Sequence, residues 1–156
     1  MKRLGQVGDT IVEVLLAITI VSAILGGAYV SSQRSLSNSR QAEERGEALK
    51  YAEGQIERLK SIATSGSAIF SQTSAFCLDS SNAIVNATNP TVTSLQPIET
   101  DNFSTYQAAC KQGSIPYYAA IEHDASITNQ FRIYIRWDRF SEAGHDQVLI
   151  VYRVQQ

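Results

Sequence analysis

Apolar positions crowd into one block near the start of the chain. From Ile11 to Val30 (IVEVLLAITIVSAILGGAYV) nearly every residue is apolar or small, and Glu13 is the sole charge. Those twenty residues would rise roughly 30 Å as a helix, the thickness of a bilayer's hydrocarbon core. No second block of this kind follows, so the chain is expected to cross a membrane at most once. From Ser31 to about Ile62 the composition turns to Ala, Glu, Gln, Arg and Lys, all good helix formers. Leu49, Ala52, Ile56, Leu59 and Ile62 recur at three- and four-residue spacings and predict one narrow apolar stripe. Glu43, Glu44, Glu47, Glu53, Glu57, Arg58 and Lys60 fill the other faces. No Pro interrupts Ile11 to Ile62, so the pattern predicts one continuous helix, roughly 78 Å long. Gly26 and Gly27 are its weak point, each costing about 1 kcal/mol relative to Ala.

The pattern changes twice more. Residues 63–114 are rich in Ser, Thr, Asn and Ala, include Pro90 and Pro97, and read as a long irregular connection. Residues 115–156 read as strands. Ile115–Glu122 is the first. Gln130–Phe140 alternates, with Phe131, Ile133, Ile135 and Trp137 on one face and Arg132, Tyr134, Arg136 and Asp138 on the other. The turn-like Ser141–Asp146 leads into Gln147–Gln156. The expected fold class is α+β: a long N-terminal helix, transmembrane over 9–30 and amphipathic over 31–62, packed on a C-terminal antiparallel sheet of three or more strands. Neither element can bury its apolar face alone, so their packing is the expected core.

The chain has 156 residues and a net charge of −2, which gives no overall case for nucleic acid. Cys77 and Cys110 both follow the apolar block, in the part that would be exported. An even count there favours one disulfide, with two buried free thiols as the alternative. There is no CxxC, and no metal site or cofactor is expected. An ordinary secretory signal is cut after its apolar region. No small-residue cleavage site follows Val30 within reach, so the block is expected to stay in the mature chain. Residues 1–8 (MKRLGQVG) form a short basic leader ahead of it.

The string Gly8-Asp9-Thr10-Ile11-Val12-Glu13-Val14-Leu15-Leu16-Ala17 resembles the type IV prepilin signature. The resemblance covers the leader and the whole apolar helix. The order of long helix, disulfide-bearing variable region and antiparallel sheet is also similar to pilins. It implies a structural subunit of a type IV pilus-like or type II secretion-like filament, and not an enzyme. Gly8 would be the last leader residue, cut by a prepilin peptidase, and Asp9 the new N-terminus, carrying an N-methyl group. Glu13 would pair with the terminal amine of a neighbouring subunit. The implied partners are other pilin subunits, the prepilin peptidase, a membrane assembly platform and the lipid bilayer. The implied location is a single-pass inner-membrane anchor with the C-terminal domain outside, then a filament. Asp9 stands where the family usually has Phe, and the helix lacks the Pro that major pilins often carry. These departures favour a minor pilin or pseudopilin, with any helix stretching left to Gly26 and Gly27. Independently of the resemblance, a lone carboxylate in an apolar helix marks a functional candidate.

Other constellations carry less. His123-Asp124 and His145-Asp146 read as exposed turn residues rather than metal ligands. Arg132, Arg136 and Arg153 would share a polar sheet face, a weak candidate DNA patch that a solvated face explains better. Asn86-Ala87-Thr88 and Asn102-Phe103-Ser104 match a glycosylation sequon, a match that arises easily in such composition. No G-x-S-x-G and no Gly-rich phosphate loop occurs. Two further readings are a membrane-anchored module that binds DNA or a surface, and a plain single-pass anchored domain.

Overall fold

The computed structural model describes residues 9–64, 68–88, 95–113, 116–124, 126–127, 129–139 and 144–154. The chain divides into two units, Met1–Gln41 and Ala42–Gln156, and one helix, α1 (Asp9–Ala63), contributes to both.

In the first unit the α1 side chains from Ile11 to Leu36 are exposed without exception. The β-branched Ile and Val that fill this stretch are mediocre helix formers in water. In lipid the choice is decided differently, because only a helix satisfies every backbone polar group within the segment. Thr19 is accommodated by donating its hydroxyl to the Leu16 carbonyl at 2.8 Å. An 18-residue window of this helix has a mean hydropathy of 2.3 with nothing buried, so the helix is long and apolar enough to span a membrane.

In the second unit α1 packs on a six-stranded antiparallel sheet. Its strands are β1 (Phe76–Leu78), β2 (Ile84–Asn86), β3 (Lys111–Gln112), β4 (Tyr117–His123), β5 (Gln130–Asp138) and β6 (His145–Arg153). The spatial order is β2-β1-β4-β5-β6, with β3 also pairing β4. The alternation read in β5 holds: Phe131, Ile133, Ile135 and Trp137 are all buried against the helix.

Two expectations need correction. The predicted stripe holds at Ala52 and Leu59, with Ile56 and Ile62 half-buried against the core, but Leu49 lies 44% exposed, and Glu44, Ala48, Gln55 and Ala63 complete the buried face. Ala48, Ala52 and Ala63 bring the helix close to the sheet, and Glu44 meets it through the Tyr117 hydroxyl and the Trp137 indole. Residues 63–114 are not an irregular connection either. They supply β1, β2 and β3 and three short 3-10 helices, Ala68–Ser71, Phe103–Thr105 and Ala108–Cys110. The β1–β2 turn is made by Asp79, whose Oδ1 accepts from the amides of Ser81 and Ala83 at 2.8 Å each, with Asn82 in the left-handed region at φ 63°. The pairing of β1 with β4 is short, registered at Phe76↔Ile121. Gln55 on the helix substitutes for the missing ladder. Its Nε2 donates to the Leu78 carbonyl and its Oε1 accepts from the Leu78 amide, both at 3.0 Å.

The sheet is covered on its second face as well. Tyr118 and Arg136 are cross-strand partners, as are Ala120 and Tyr134, on the face turned away from the helix. Tyr118, Ala120 and Arg136 are nevertheless buried. Phe103 and Tyr106 lie over them, with ring centroids 4.8 and 5.3 Å from that of Tyr118. The second unit is therefore three layers, helix, sheet and an aromatic strap, and the strap comes from the region read as loop.

Candidate functional site

Along α1 of the first unit, the chemistry is sparse and specific. Glu13 is the only charge from Ile11 to Gln33, and it is exposed. Asp9 is the first residue of the helix, and Gly8 with the rest of the leader lies outside the described residues. Gly26 and Gly27 are continuous helix, and a Cβ added at either would meet nothing within 4 Å. No packing within the chain requires glycine there. Between Ile11 and Gln33 the helix thus offers a bare apolar cylinder with one carboxylate near its start. Chemically it can bury itself in lipid or against other helices, and it can present one acidic group to a cation.

The two cysteines are joined. Cys77 in β1 and Cys110, at the end of the last 3-10 helix, form a disulfide with Cα atoms 5.6 Å apart. Both are fully buried. The bond ties the strap to the sheet. A polar pin ties it a second time. Arg136 Nη1 donates to Asp101 Oδ2 at 2.6 Å and to the Gln96 carbonyl at 2.8 Å, and its Nε donates to Gln147 Oε1 at 3.2 Å. Tyr106 completes the cluster by donating its hydroxyl to Asp101 Oδ2 at 2.8 Å. Burial raises the Tyr106 hydroxyl well above the usual tyrosine range. The Arg136 charge works against that shift, and the bond to Asp101 reinforces it.

The candidate arginine patch does not exist as one surface. Arg136 is 4% exposed and committed to Asp101, because its strand position faces the strap and not solvent. Arg132 is paired with Asp124 at 2.6 Å, and only Arg153 of the three stands exposed with no such partner among the described residues. The Asp124 carboxyl is held below its ordinary range, first by bonds from the Ser126 hydroxyl and amide and then by Arg132.

The two histidines of the His-Asp pairs are likewise not exposed turn residues, although Asp124 does sit in the turn after β4, accepting from the Ser126 amide at 3.1 Å. His123 ends β4 half-buried, its ring centroid 5.0 Å from that of Phe131. His145 opens β6, 4.4 Å from the Phe103 ring, with Nδ1 2.7 Å from Asp138 Oδ1. Both lie in strands because the sheet extends further than the turn composition suggests. A cavity of about 410 Å³ borders this corner, lined by Ile98, Glu99, Arg139, His145, Asp146 and Gln147 among others. Among the described residues no group of three His, Cys, Asp or Glu is placed to hold a metal ion.

Glu44 was read as a solvated helix residue, but it is 8% exposed. Its Oε2 accepts from Trp137 Nε1 at 3.2 Å, and its carbonyl accepts from the Tyr117 hydroxyl at 3.3 Å. Burial raises the Tyr117 hydroxyl above its ordinary range, with the carboxylates of Glu47 and Glu44 adding to the effect. One signal was available for Glu44. It stands four residues before Ala48 and eight before Ala52, in line with the small face that touches the sheet.

No protein-family model, no curated protein and no solved structure matches this chain.

Proposed function

We propose that this chain is a membrane-anchored, pilin-like subunit that polymerises through α1 into a pilus-like or secretion-type filament. The observation that carries the reading is Glu13, the one charge on the exposed apolar stretch from Ile11 to Gln33, set five residues after Gly8 of a short basic leader. A prepilin peptidase would cut after Gly8 and free the Asp9 amine. In a packed helix bundle the dielectric is low, and an unpaired carboxylate there is strongly unfavourable. A neighbour's terminal ammonium neutralises it, which couples correct register to assembly. Asp9 offers a second carboxylate beside that amine.

The Cys77–Cys110 bond supports an oxidising location for the second unit, hence a single-pass orientation with that unit outside the cytoplasm. Partners on this reading are further subunits, the peptidase, the assembly platform and the bilayer. The chain carries no phosphate-binding loop motif, so a separate ATPase would drive assembly. The Asp9 departure and the Pro-free helix favour a minor pilin or pseudopilin. Once Arg136 is committed to Asp101, the DNA-binding alternative has little left to rest on.

Glu13→Ala tests the assembly role. The variant is expected to insert in the membrane and form its disulfide normally, yet to be absent from sheared filaments or from cross-linked subunit ladders. Wild-type assembly by Glu13→Ala would contradict the proposal.

A further inference from the structure

The uncharged stretch of α1 is bracketed. Glu13 precedes it, Arg34 follows it, and the twenty residues from Val14 to Gln33 carry no charge. At helical rise that interval is about 30 Å, the thickness of a hydrocarbon core. The Arg34 end has further chemistry. Tyr29 is 66% exposed, and its hydroxyl accepts from Gln33 Nε2 at 3.2 Å, which leaves the phenolic proton to donate elsewhere. Arg34 is exposed and makes no hydrogen bond or ion pair with any described residue. No acidic residue lies between Glu13 and Glu43. Glu43 is about 13 Å further along the helix axis, out of reach of the guanidinium. A cation with no partner among the described residues, one turn beyond an exposed Tyr and at the end of an uncharged stretch of bilayer length, is placed to take an anion from outside the chain.

We infer that Tyr29, Gln33 and Arg34 form a headgroup station: Arg34 binds a phospholipid phosphate while the Tyr29 ring lies at the boundary between hydrocarbon and headgroups. The planar guanidinium matches phosphate geometry with two parallel donors. Tyrosine is enriched at this depth because its ring is apolar and its tip wet. Glu13 then falls at the opposite headgroup layer, where its carboxylate meets water. The station fixes the depth of the helix. A shift of one turn inward would draw Arg34 into hydrocarbon, and a shift outward would pull apolar residues into water. This inference rests on the membrane-anchoring part of the proposed function and not on polymerisation.

The test uses the full chain, dilute, in vesicles of phosphatidylethanolamine and phosphatidylglycerol. With both native cysteines in their disulfide, single introduced thiols report depth through a membrane-impermeant maleimide. Leu25→Cys and Ala28→Cys are expected to be protected, and Ser35→Cys and Ser37→Cys to be labelled. Arg34→Leu is expected to let the helix sink and slow labelling of Ser35→Cys by about tenfold, whereas Arg34→Lys leaves it unchanged. Solid-state NMR is expected to place the Arg34 guanidinium carbon about 4 Å from lipid phosphorus. Carbonate extraction accompanies every variant. A chain that is extracted overturns the anchoring reading and the station together. A chain that stays inserted, with its boundary indifferent to Arg34→Leu or its guanidinium beyond hydrogen-bond reach of phosphorus, overturns the station alone.

Discussion

Arg136 shows how one position can reverse its expected role. The β5 pattern puts it on a polar face, and the sequence offers no sign that Asp101, far upstream in a Ser- and Asn-rich stretch, will come to meet it. The pair is 4% exposed on both sides. Removing one partner strands a buried charge, so Arg136→Met and Asp101→Asn are each expected to destabilise by about 3–5 kcal/mol in urea unfolding. The double change is expected to cost much less than the sum. Tyr106, in the same cluster, makes a pH prediction. Its folded pKa lies above the unfolded value of about 10, so its contribution is complete below that pH and is lost as pH rises further. Unfolding free energy measured across this alkaline window is expected to fall with pH, and Tyr106→Phe is expected to flatten the slope.

At the scale of elements, what could be read was what has a period. The alternation of Phe131, Ile133, Ile135 and Trp137 named its own buried face, and the block from Ile11 to Val30 named a helix long and apolar enough to span a membrane, with every side chain exposed. The strap and β1–β3 have no period. They are held by Asp79, Gln55, Arg136 and the disulfide, each a contact between residues distant in sequence or a turn too short to pattern. The helix face was legible in part: Ala52 and Leu59 are buried as the spacing predicts, but Glu44 and Gln55 join them through bonds to Trp137 and Leu78 that no pattern on the helix alone shows. Gly26 and Gly27 have no neighbour to accommodate. Replacing both with Ala is expected to favour the helix by about 1 kcal/mol each. In filaments imaged by cryo-microscopy the expected result is a straighter helix, and unchanged geometry would show that neither glycine serves flexibility.

For the molecule as a whole, the two units ask for different environments. The first exposes every side chain from Ile11 to Leu36, while the second has an internal core, a buried disulfide and a polar pin. The Cys77–Cys110 link spans 33 residues, which the chain-entropy model values at about 4 kcal/mol. Double replacement by Ala is expected to lower the midpoint of thermal unfolding and to loosen the strap before the β4–β6 ladder, as followed by amide exchange. An unchanged midpoint would mean the strap is held without it. The central claim is that the apolar block is an assembly helix exposed by leader cleavage, and mass spectrometry of the mature N-terminus in cells tests it most directly. The expected result is a chain that starts at Asp9 and carries one added methyl group. A chain that retains Met1 and fractionates without filaments would contradict the account.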